Sequence, residues 1–530
     1  MFHKVRELTK DLAIYGIGDV AVSVVNFLLL SVYVEFLDPT DYGVLAQLGA
    51  VEVVAKIVFR CGLDGSFMRF YYDYPDGHDR QRLASTIFFF LLALNSVLLV
   101  AAVVAAPAAA GSLFGWPGDA RRTNVLALQL VLANTFLIGF TFLPFHLLRM
   151  QKRAAEFSAL TLARSVSTLL LRIGLVVGFG YGVLGIVVAD IIVTVVVLVV
   201  LTRWFAPLIR PLFSRAMLRE SLAFGLPRLP HAFAQQVMAV GDRFILPWFR
   251  TTAEIGVYSI GATFALAQKL FLSAFEYAWA PFYYATAREP DGKRVFAVVT
   301  TYAFGALALM TAGLSAIAAD LLPLMLHDEY PKYAAAPSVI PGIAVGVLLQ
   351  GVYLLTSIGL NLTKKTGYYP VSTAVAAAAS VLLNLALIPR FGILGAAWAN
   401  AAAYGVQAAL AYYFARRFYP IEYEWGRLVR VAAAALLGYL VARRLPGMPP
   451  LGGVAARGAT VVATMGGALW VTGFFQPAEM AILRRLRRRP QDEAAAALPP
   501  DTTEFGGEIV ATDVRDEAVD QRSRSGGMVK

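Results

Sequence analysis

The chain has 530 residues, of which 58% are hydrophobic and 15% charged, and its mean hydropathy is +0.63. An ordinary soluble domain carries about 25% charged residues, so this composition excludes soluble enzymes and nucleic-acid-binding proteins and indicates a polytopic membrane protein. The net charge of +11 then fits basic cytoplasmic loops rather than a nucleic-acid partner. The single cysteine, Cys61, allows no internal disulfide and no cysteine-based metal cluster. No metal or other cofactor is expected.

Fourteen apolar runs approach or reach the roughly 20 residues that a helix needs to cross a bilayer. The runs do not alternate between polar and apolar residues, which indicates helices rather than the strands of a barrel. The first run follows Met1–Asp11 directly, so no cleavable signal sequence is expected. The sequence therefore predicts an all-α protein with spans at 12–34, 43–63, 83–106, 125–147, 157–180, 183–202, 221–240, 255–280, 295–318, 337–361, 369–389, 392–414, 428–442 and 453–475.

The distribution of Lys and Arg predicts the orientation, because these residues are enriched in cytoplasmic segments. With the N-terminus inside, the inside segments hold 26 basic residues and the outside segments hold 8. A missed span would invert the later half of the chain and spoil this ratio, so both termini are expected to be cytoplasmic. The outside residues are Arg121, Arg122, Arg243, Arg250, Lys332, Arg390, Arg443 and Arg444.

Self-comparison reveals an internal repeat. Asp41-Tyr42-Gly43-Val44, after span one, matches Glu254-Ile255-Gly256-Val257, after span seven, at an offset of 213 residues. Further on, Gly182–Gly185 matches Gly392–Gly395 in the same order along the chain. Spans 1–6 and 7–12 are therefore interpreted as a duplicated six-helix lobe, an arrangement typical of transporters that work by alternating access.

The repeat sets the predicted domain boundaries. Residues 1–215 form the first lobe, 216–420 the second lobe, and 421–489 an appended helix pair with a basic cytoplasmic end. Residues 490–530 are polar and of low complexity, so they are predicted to be a disordered cytoplasmic tail.

Span two carries Glu52, Lys56 and Arg60 four residues apart, and so on one stripe of the helix. Each charged residue at the centre of a span costs about 2.5–3.5 kcal/mol on insertion scales. We therefore expect this stripe to face protein or water rather than lipid. Two interpretations stay open: the stripe lines a substrate cavity, or Glu52 and Lys56 form an ion pair while Arg60 reaches the cytoplasmic headgroups.

Lys269 in span eight corresponds to Lys56 at the offset of the repeat. Two lysines that face one cavity from equivalent positions would form an anion site. The candidate substrate-binding residues of a cationic cavity are Lys56, Arg60, Arg172, Arg228 and Lys269. The candidate acids for binding a coupling ion such as H⁺ or Na⁺ are Asp19, Glu52, Asp190 and Glu276. With Arg164 included, the intramembrane bases outnumber these acids, which favours an anionic substrate.

The segments Tyr15-Gly16-Ile17-Gly18, Asn26-Phe27-Leu28 and Leu37-Asp38-Pro39-Thr40-Asp41-Tyr42-Gly43 resemble those of a polysaccharide-biosynthesis flippase. Such flippases belong to the multidrug/oligosaccharidyl-lipid/polysaccharide exporter superfamily. The resemblance implies translocation of an undecaprenyl-pyrophosphate-linked oligosaccharide across the bacterial inner membrane, for O-antigen, capsule or exopolysaccharide export. It also implies membrane lipids, a polysaccharide polymerase and glycosyltransferases as partners.

Two other functions stay open at this point. A drug or cation antiporter of the same fold would need intramembrane acids, which are few here. A membrane glycan polymerase or ligase would carry a large periplasmic loop, whereas the longest outside loop spans about residues 107–124. No nucleotide-binding loop of the Gly-x-x-x-x-Gly-Lys-[Ser/Thr] type is present, so an ion gradient or the membrane potential is the expected driving force.

The topology can be tested by cysteine labelling, because replacing Cys61 gives a cysteine-free background in one step. Single cysteines at Thr40 and Thr123 are expected to react with a membrane-impermeant thiol reagent in intact cells. A cysteine at Ser158 is expected to stay unlabelled until the cells are opened. Labelling at Ser158 in intact cells would contradict the predicted orientation.

Overall fold

The computed structural model describes residues 31–74, 76–116, 120–151 and 153–476. These residues contain helices and connecting turns but no β-strand, and those up to Phe474 belong to one compact unit. The predicted all-α class is confirmed. Because the unit is not divided further, the lobe boundaries at 215 and 420 stay predictions. The first predicted span lies mostly outside the described residues, and the basic end of the appended pair (residues 477–489) and the predicted tail 490–530 lie wholly outside them.

The helices follow the predicted apolar runs, since each long run buries its backbone polar groups in its own hydrogen bonds. In the first half of the chain they are α1 (Pro39–Arg60), α2 (Leu63–Asp73), α3 (Gly77–Ser112), α4 (Arg121–Ile138), α5 (Phe142–Met150), α6 (Ala154–Ile173), α7 (Gly182–Phe205), α8 (Arg215–Gly225), α9 (Leu229–Val240) and α10 (Asp242–Ile245). In the second half they are α11 (Thr252–Phe264), α12 (Leu266–Thr286), α13 (Gly292–Leu326), α14 (Ala336–Thr356), α15 (Ile358–Leu362), α16 (Tyr368–Phe418), α17 (Trp425–Arg443) and α18 (Pro450–Val471).

The described residues include ten helices long and apolar enough to cross a membrane, or eleven if α11 and α12 form one bent span. The predicted spans 369–389 and 392–414 lie within the single element α16, whose backbone is interrupted at Gly392 (φ 60°, ψ −136°). The predicted span 221–240 is helical but broken by a 3₁₀ turn at Leu226–Arg228. The count of fourteen therefore stays a prediction.

Two equivalent helix starts explain the strongest match of the internal repeat. At the start of α1, the Asp38 carboxylate accepts from the Asp41 backbone N–H, and the Asp41 carboxylate accepts from the Asp38 N–H. At the start of α11, Thr251 and Glu254 make the same reciprocal pair. These capping boxes satisfy backbone donors that a helix start leaves free, and they fix where each helix begins.

The same two helices cross each other through reciprocal glycine contacts. A Cβ on Gly43 of α1 would lie 1.9 Å from the carbonyl oxygen of Thr252. A Cβ on Gly256 of α11 would lie 1.8 Å from the carbonyl oxygen of Pro39. Pro39 and Thr252 are themselves related by the offset of 213, so the contact is self-complementary, as expected at a two-fold axis between related units. We call it the Gly43–Gly256 contact; the charge pattern predicts that it lies at the outer end.

A second close approach joins the C-terminal end of α1 to α8. Gly62 adopts a left-handed conformation (φ 69°), and a Cβ there would lie 2.6 Å from the carbonyl oxygen of Gly225. The Ser66 hydroxyl donates to the Ser221 carbonyl oxygen at 2.7 Å. The segment Pro39–Asp73 therefore contacts residues of the predicted second lobe, 216–420, at both of its ends.

The last two helices, α17 and α18, pack on each other and on α13. The Arg457 guanidinium of α18 lies 3.0 Å from the Asp320 carboxylate of α13, and both side chains are largely buried. Gly453 leaves room for this carboxylate, since a Cβ there would lie 2.5 Å from it. The appended pair is thus anchored to α13 by a buried ion pair.

The Gly43–Gly256 contact can be tested with two alanine substitutions in one helix. Gly43→Ala is expected to destabilise the closed contact by about 1–3 kcal/mol, because the new methyl group overlaps a carbonyl. Gly49→Ala is the matched control: apart from its chain neighbours and the backbone of its own helix, no atom lies within 4 Å of its Cβ position, so this change is expected to stabilise α1 by up to about 1 kcal/mol. Apparent melting temperatures of the purified protein measure both changes.

A distance measurement shows whether the contact opens. Spin labels at Thr123 and Lys332, in the Cys61-free background, are expected to move apart by several ångströms in Gly43→Ala and to stay in place in Gly49→Ala. Equal distance distributions in the two variants would mean that the Gly43–Gly256 contact does not hold the lobes together.

Candidate functional site

The charged stripe of span two lies on α1, and its first two members form an ion pair. The Lys56 ammonium lies 2.5 Å from the Glu52 carboxylate, and both side chains are about one-third exposed. The Arg60 guanidinium lies 3.8 Å from the Asp64 carboxylate of α2. The structure thus contains the ion pair that was one of the two interpretations of this stripe. Whether Lys56 also contacts a substrate stays a prediction.

A second ion pair links α6 to α7. The Arg172 guanidinium donates to both carboxylate oxygens of Asp190, at 2.8 Å and 2.7 Å. This two-point geometry is the strongest that arginine and a carboxylate form. Glu52, Arg172 and Asp190 line the same cavity of about 360 Å³. Three of the predicted site residues are therefore brought together in the first half of the chain.

Lys269 is in a different setting from its repeat partner Lys56. It follows the 45° bend between α11 and α12, and its side chain is exposed. The residue four positions earlier, where Lys56 has Glu52, is Ala265. Among the described residues Lys269 has no ion-pair partner. The shared anion site of Lys56 and Lys269 stays a prediction, and their surroundings differ.

Near Lys269 lies a buried group that the sequence analysis did not identify. The Asp242 carboxylate is 2% exposed, accepts from the Tyr258 hydroxyl at 2.5 Å and lies 3.0 Å from the Arg243 guanidinium. Lys269 is within electrostatic reach of both charges. Arg243, counted among the outside residues, lies on α10 in helical structure that continues to Trp248, and its side chain is 17% exposed. Its side of the membrane stays a prediction.

The remaining predicted residues lie apart from these groups. The Arg228 guanidinium stacks on the Phe224 ring at 4.0 Å, at the 3₁₀ break between α8 and α9. Glu276 of α12 is exposed and has no ion-pair partner among the described residues. Asp19 lies outside the described residues.

The missed residues leave only weak signals in one sequence. Asp242 and Arg243 are adjacent, and adjacent opposite charges after an apolar run are typical of a solvated loop end. On α6, Thr161, Ser165, Thr168 and Arg172 recur at spacings of three and four residues, which puts them on one helical face. This polar stripe was the signal that could have identified the cavity in advance.

The arrangement is that of a multi-pass helical membrane protein with charged groups between its spans, and solved structures share its fold. "Lipid II flippase MurJ, inward closed conformation" matches with a TM-score of 0.67 at 11% identity, covering 87% of this chain and 99% of that one. An inward-facing multidrug resistance MATE family transporter of the MOP superfamily matches with a TM-score of 0.63 at 15% identity, covering 79% and 99%. A mutant of the Vibrio cholerae MATE transporter VcmN matches with a TM-score of 0.51 at 15% identity, covering 78% and 97%.

The family is shown by sequence. A family model described as "Polysaccharide biosynthesis protein" matches residues 32–335, more than half of the chain. The protein therefore belongs to this family, and the resemblance drawn from its opening segments is confirmed. No curated protein sequence matches the chain.

The Glu52–Lys56 pair leads to a prediction that separates structural from functional lysines. Lys56→Ala leaves the Glu52 carboxylate without its partner and is expected to lower the amount of folded protein, since breaking such a pair costs more than removing both charges. The double change Glu52→Gln with Lys56→Gln is expected to restore it. Quantitative immunoblots of membranes and melting temperatures of purified protein are the measurements.

Lys269 is the matched case without a partner. Lys269→Ala is expected to leave the protein level near that of the wild type, and Lys269→Glu is expected to abolish function by reversing the charge. If Lys56→Ala keeps full protein levels and loses export while the double change does not restore it, Lys56 is a substrate residue.

Proposed function

We propose that this protein flips an undecaprenyl-pyrophosphate-linked oligosaccharide across the bacterial inner membrane, for export of a surface polysaccharide. The family match and the transporter fold support flipping in general. Unpaired basic side chains within the described spans are the observation that supports an anionic substrate. Glycosyltransferases would supply the lipid-linked unit on the inner side, and a polymerase would consume it on the outer side.

Among the described residues, five acids within or beside the spans are neutralised by a base. The pairs are Glu52–Lys56, Arg172–Asp190, Asp242–Arg243, Asp320–Arg457 and Glu424–Arg427. Against these pairs stand Arg164 and Lys269, which have no ion-pair partner among the described residues. An unpaired cation inside a membrane is expensive unless it meets water or an anion. A substrate that carries a diphosphate provides such an anion.

The helix contacts support alternating access. The two capped helices α1 and α11 meet mainly through backbone atoms at the Gly43–Gly256 contact, where the Thr252 methyl group is the one side-chain atom among the atoms nearest to the two glycine Cβ positions. Such a contact can separate as a rigid surface and re-form without repacking. The proposed driving force is an H⁺ or Na⁺ gradient or the membrane potential. Glu52, Asp190 and Glu276 are the proposed coupling acids in the described part of the chain.

A drug or cation antiporter of the same fold is the second candidate, and one observation favours it. Glu276 lies within α12 with no base as an ion-pair partner among the described residues, and an exposed intramembrane carboxylate suits a cationic substrate or coupling ion. In the described part of the chain, this one unpaired acid weighs less than the unpaired cations Arg164 and Lys269, so the flippase remains the proposal.

Deleting the gene separates the two candidates. We expect lipid-linked repeat units to accumulate on the cytoplasmic leaflet and the surface polymer to disappear, because the substrate can no longer cross. Extraction of lipid-linked sugars and an assay of surface polymer measure this. Unchanged polymer together with increased sensitivity to cationic drugs would identify an antiporter instead.

A further inference from the structure

We propose that the cavity beside α6 binds the phosphate group of the lipid-linked substrate, with Arg164 as its main ligand and Asn134 as the acceptor for a hydroxyl of the first sugar. This inference rests on the proposed function and names the place where the substrate headgroup is held. It adds a binding site in the first half of the chain whose proposed ligands include neither Lys56 nor Lys269.

One basic side chain of the cavity has no acidic partner among the described residues. The acids of the cavity, Glu52 and Asp190, are each bound to a base, Lys56 and Arg172 respectively. Arg164 lines the same cavity and has neither an ion-pair nor a hydrogen-bond partner among the described residues. It lies within electrostatic reach of both acids, but neither acid is free to neutralise it. The charged side chains that line the cavity, Glu52, Arg164, Arg172 and Asp190, sum to zero. Because Lys56 neutralises Glu52 from outside the lining, the cluster as a whole has one positive charge in excess among the described residues, which an anion would balance.

The other polar groups suit a glycosyl phosphate. The hydroxyls of Thr161 and Ser165 donate to backbone carbonyls of their own helix, which leaves Arg164 as the strongest donor facing the cavity. Asn134 is 5% exposed, lines the cavity, and its Oδ1 atom has no hydrogen-bond partner. A buried acceptor without a donor is costly, and a sugar hydroxyl next to the phosphate would supply that donor.

The edge of the cavity indicates a lipid rather than a free phosphate. Leu162 and Val166 of α6 line it, and they are 51% and 44% exposed. A hydrocarbon chain could lie against these side chains while its headgroup reaches Arg164. Arginine suits this role because its planar fork binds two phosphate oxygens at once.

The second half of the chain shows that packing alone does not require this arginine. In the repeat, the helix that corresponds to α6 precedes Gly392 and covers residues 368–391 of α16. Its single basic residue is Arg390, next to the end of that segment. The corresponding interior positions are filled by Ala, Val, Leu and Ser, so a helix in this place folds without an internal arginine.

Native mass spectrometry of the purified full-length protein tests the site with undecaprenyl pyrophosphate, with and without one attached sugar. Undecaprenol, inorganic pyrophosphate and phosphatidylglycerol are the comparison ligands. The wild type is expected to bind undecaprenyl pyrophosphate at least about tenfold more tightly than undecaprenol, as charge-assisted hydrogen bonds imply. Arg164→Gln is expected to remove this difference, and Arg164→Lys to keep part of it. Arg288→Gln, at an exposed arginine between α12 and α13, is the matched control and is expected to bind as the wild type does.

Asn134→Ala tests the sugar contact separately. It is expected to weaken binding of the sugar-bearing lipid to the affinity of the bare lipid diphosphate, and to leave the bare lipid unchanged. Equal losses for both lipids would overturn the assignment of Asn134.

Four outcomes would overturn the assignment of Arg164. Undecaprenyl pyrophosphate could bind Arg164→Gln as tightly as it binds the wild type. Phosphatidylglycerol could bind as tightly as undecaprenyl pyrophosphate and with the same dependence on Arg164, which would make this a bilayer-lipid site. Inorganic pyrophosphate could bind as tightly as the lipid, which would make the hydrocarbon irrelevant. Finally, Arg164→Gln could fail to fold, and Arg164→Lys could bind undecaprenyl pyrophosphate no more tightly than it binds undecaprenol. If adding Asp19→Asn to Arg164→Gln then restored stability, Arg164 would be a partner of Asp19.

The site and the proposed function can fail separately. If gene deletion abolishes the surface polymer but binding of undecaprenyl pyrophosphate does not depend on Arg164, the proposed flippase function stands and the proposed site is wrong. If gene deletion leaves the polymer unchanged but binding of the lipid diphosphate depends on Arg164, the proposed site stands and the proposed function is wrong.

Discussion

The Gly43–Gly256 contact is the constraint on which the rest of the structure depends. Two helices related by the internal repeat approach until each glycine lies against a backbone carbonyl of the other helix. A side chain at either position would separate them, and the capping boxes at Asp38 and Thr251 hold both glycines at the same height along their helices. The repeat in the sequence, the two matching helix starts and the contact between α1 and α11 are thus one feature seen at three levels.

This contact is supported by side chains that link the two halves around it. The Tyr333 hydroxyl donates to the Leu37 carbonyl oxygen at 3.1 Å, and the rings of Tyr42 and Tyr333 meet edge to face with centroids 6.0 Å apart. Beyond these residues, the interior of the spans contains charge pairs held within one half of the chain. Charges that are satisfied within one half need not be broken when the halves move relative to each other, which suits an alternating-access cycle.

Much of the fold could be predicted from the sequence because the bilayer leaves few choices. Long apolar runs must be helices, and a charge pair four residues apart on one helix, such as Glu52 and Lys56, follows from helical geometry. The repeat also revealed the equivalence of Gly43 and Gly256, although not that these glycines touch each other's helices.

The candidate site was harder to predict because its pairs join distant helices. Nothing in one sequence says that Arg172 meets Asp190 or that Asp320 meets Arg457, since the crossing of two helices decides both. Arg243 shows another limit: the charge count places it in an outside segment, but a count of charges does not show whether such a side chain is exposed or buried. Its burial depends on Asp242 and Tyr258, which supply a counter-charge and a hydroxyl donor for that carboxylate.

The most direct test of the central claim is to hold the Gly43–Gly256 contact closed while transport is measured. Cysteines at Tyr42 and Tyr333, in the Cys61-free background, can be joined by a short cleavable bifunctional thiol reagent in proteoliposomes that contain an undecaprenyl-pyrophosphate-linked sugar. We predict that cross-linking stops flipping, that cleaving the linker restores it, and that either single-cysteine protein is unaffected by the reagent. Flipping at an unchanged rate in the cross-linked protein would show that the two halves do not separate at this contact during transport.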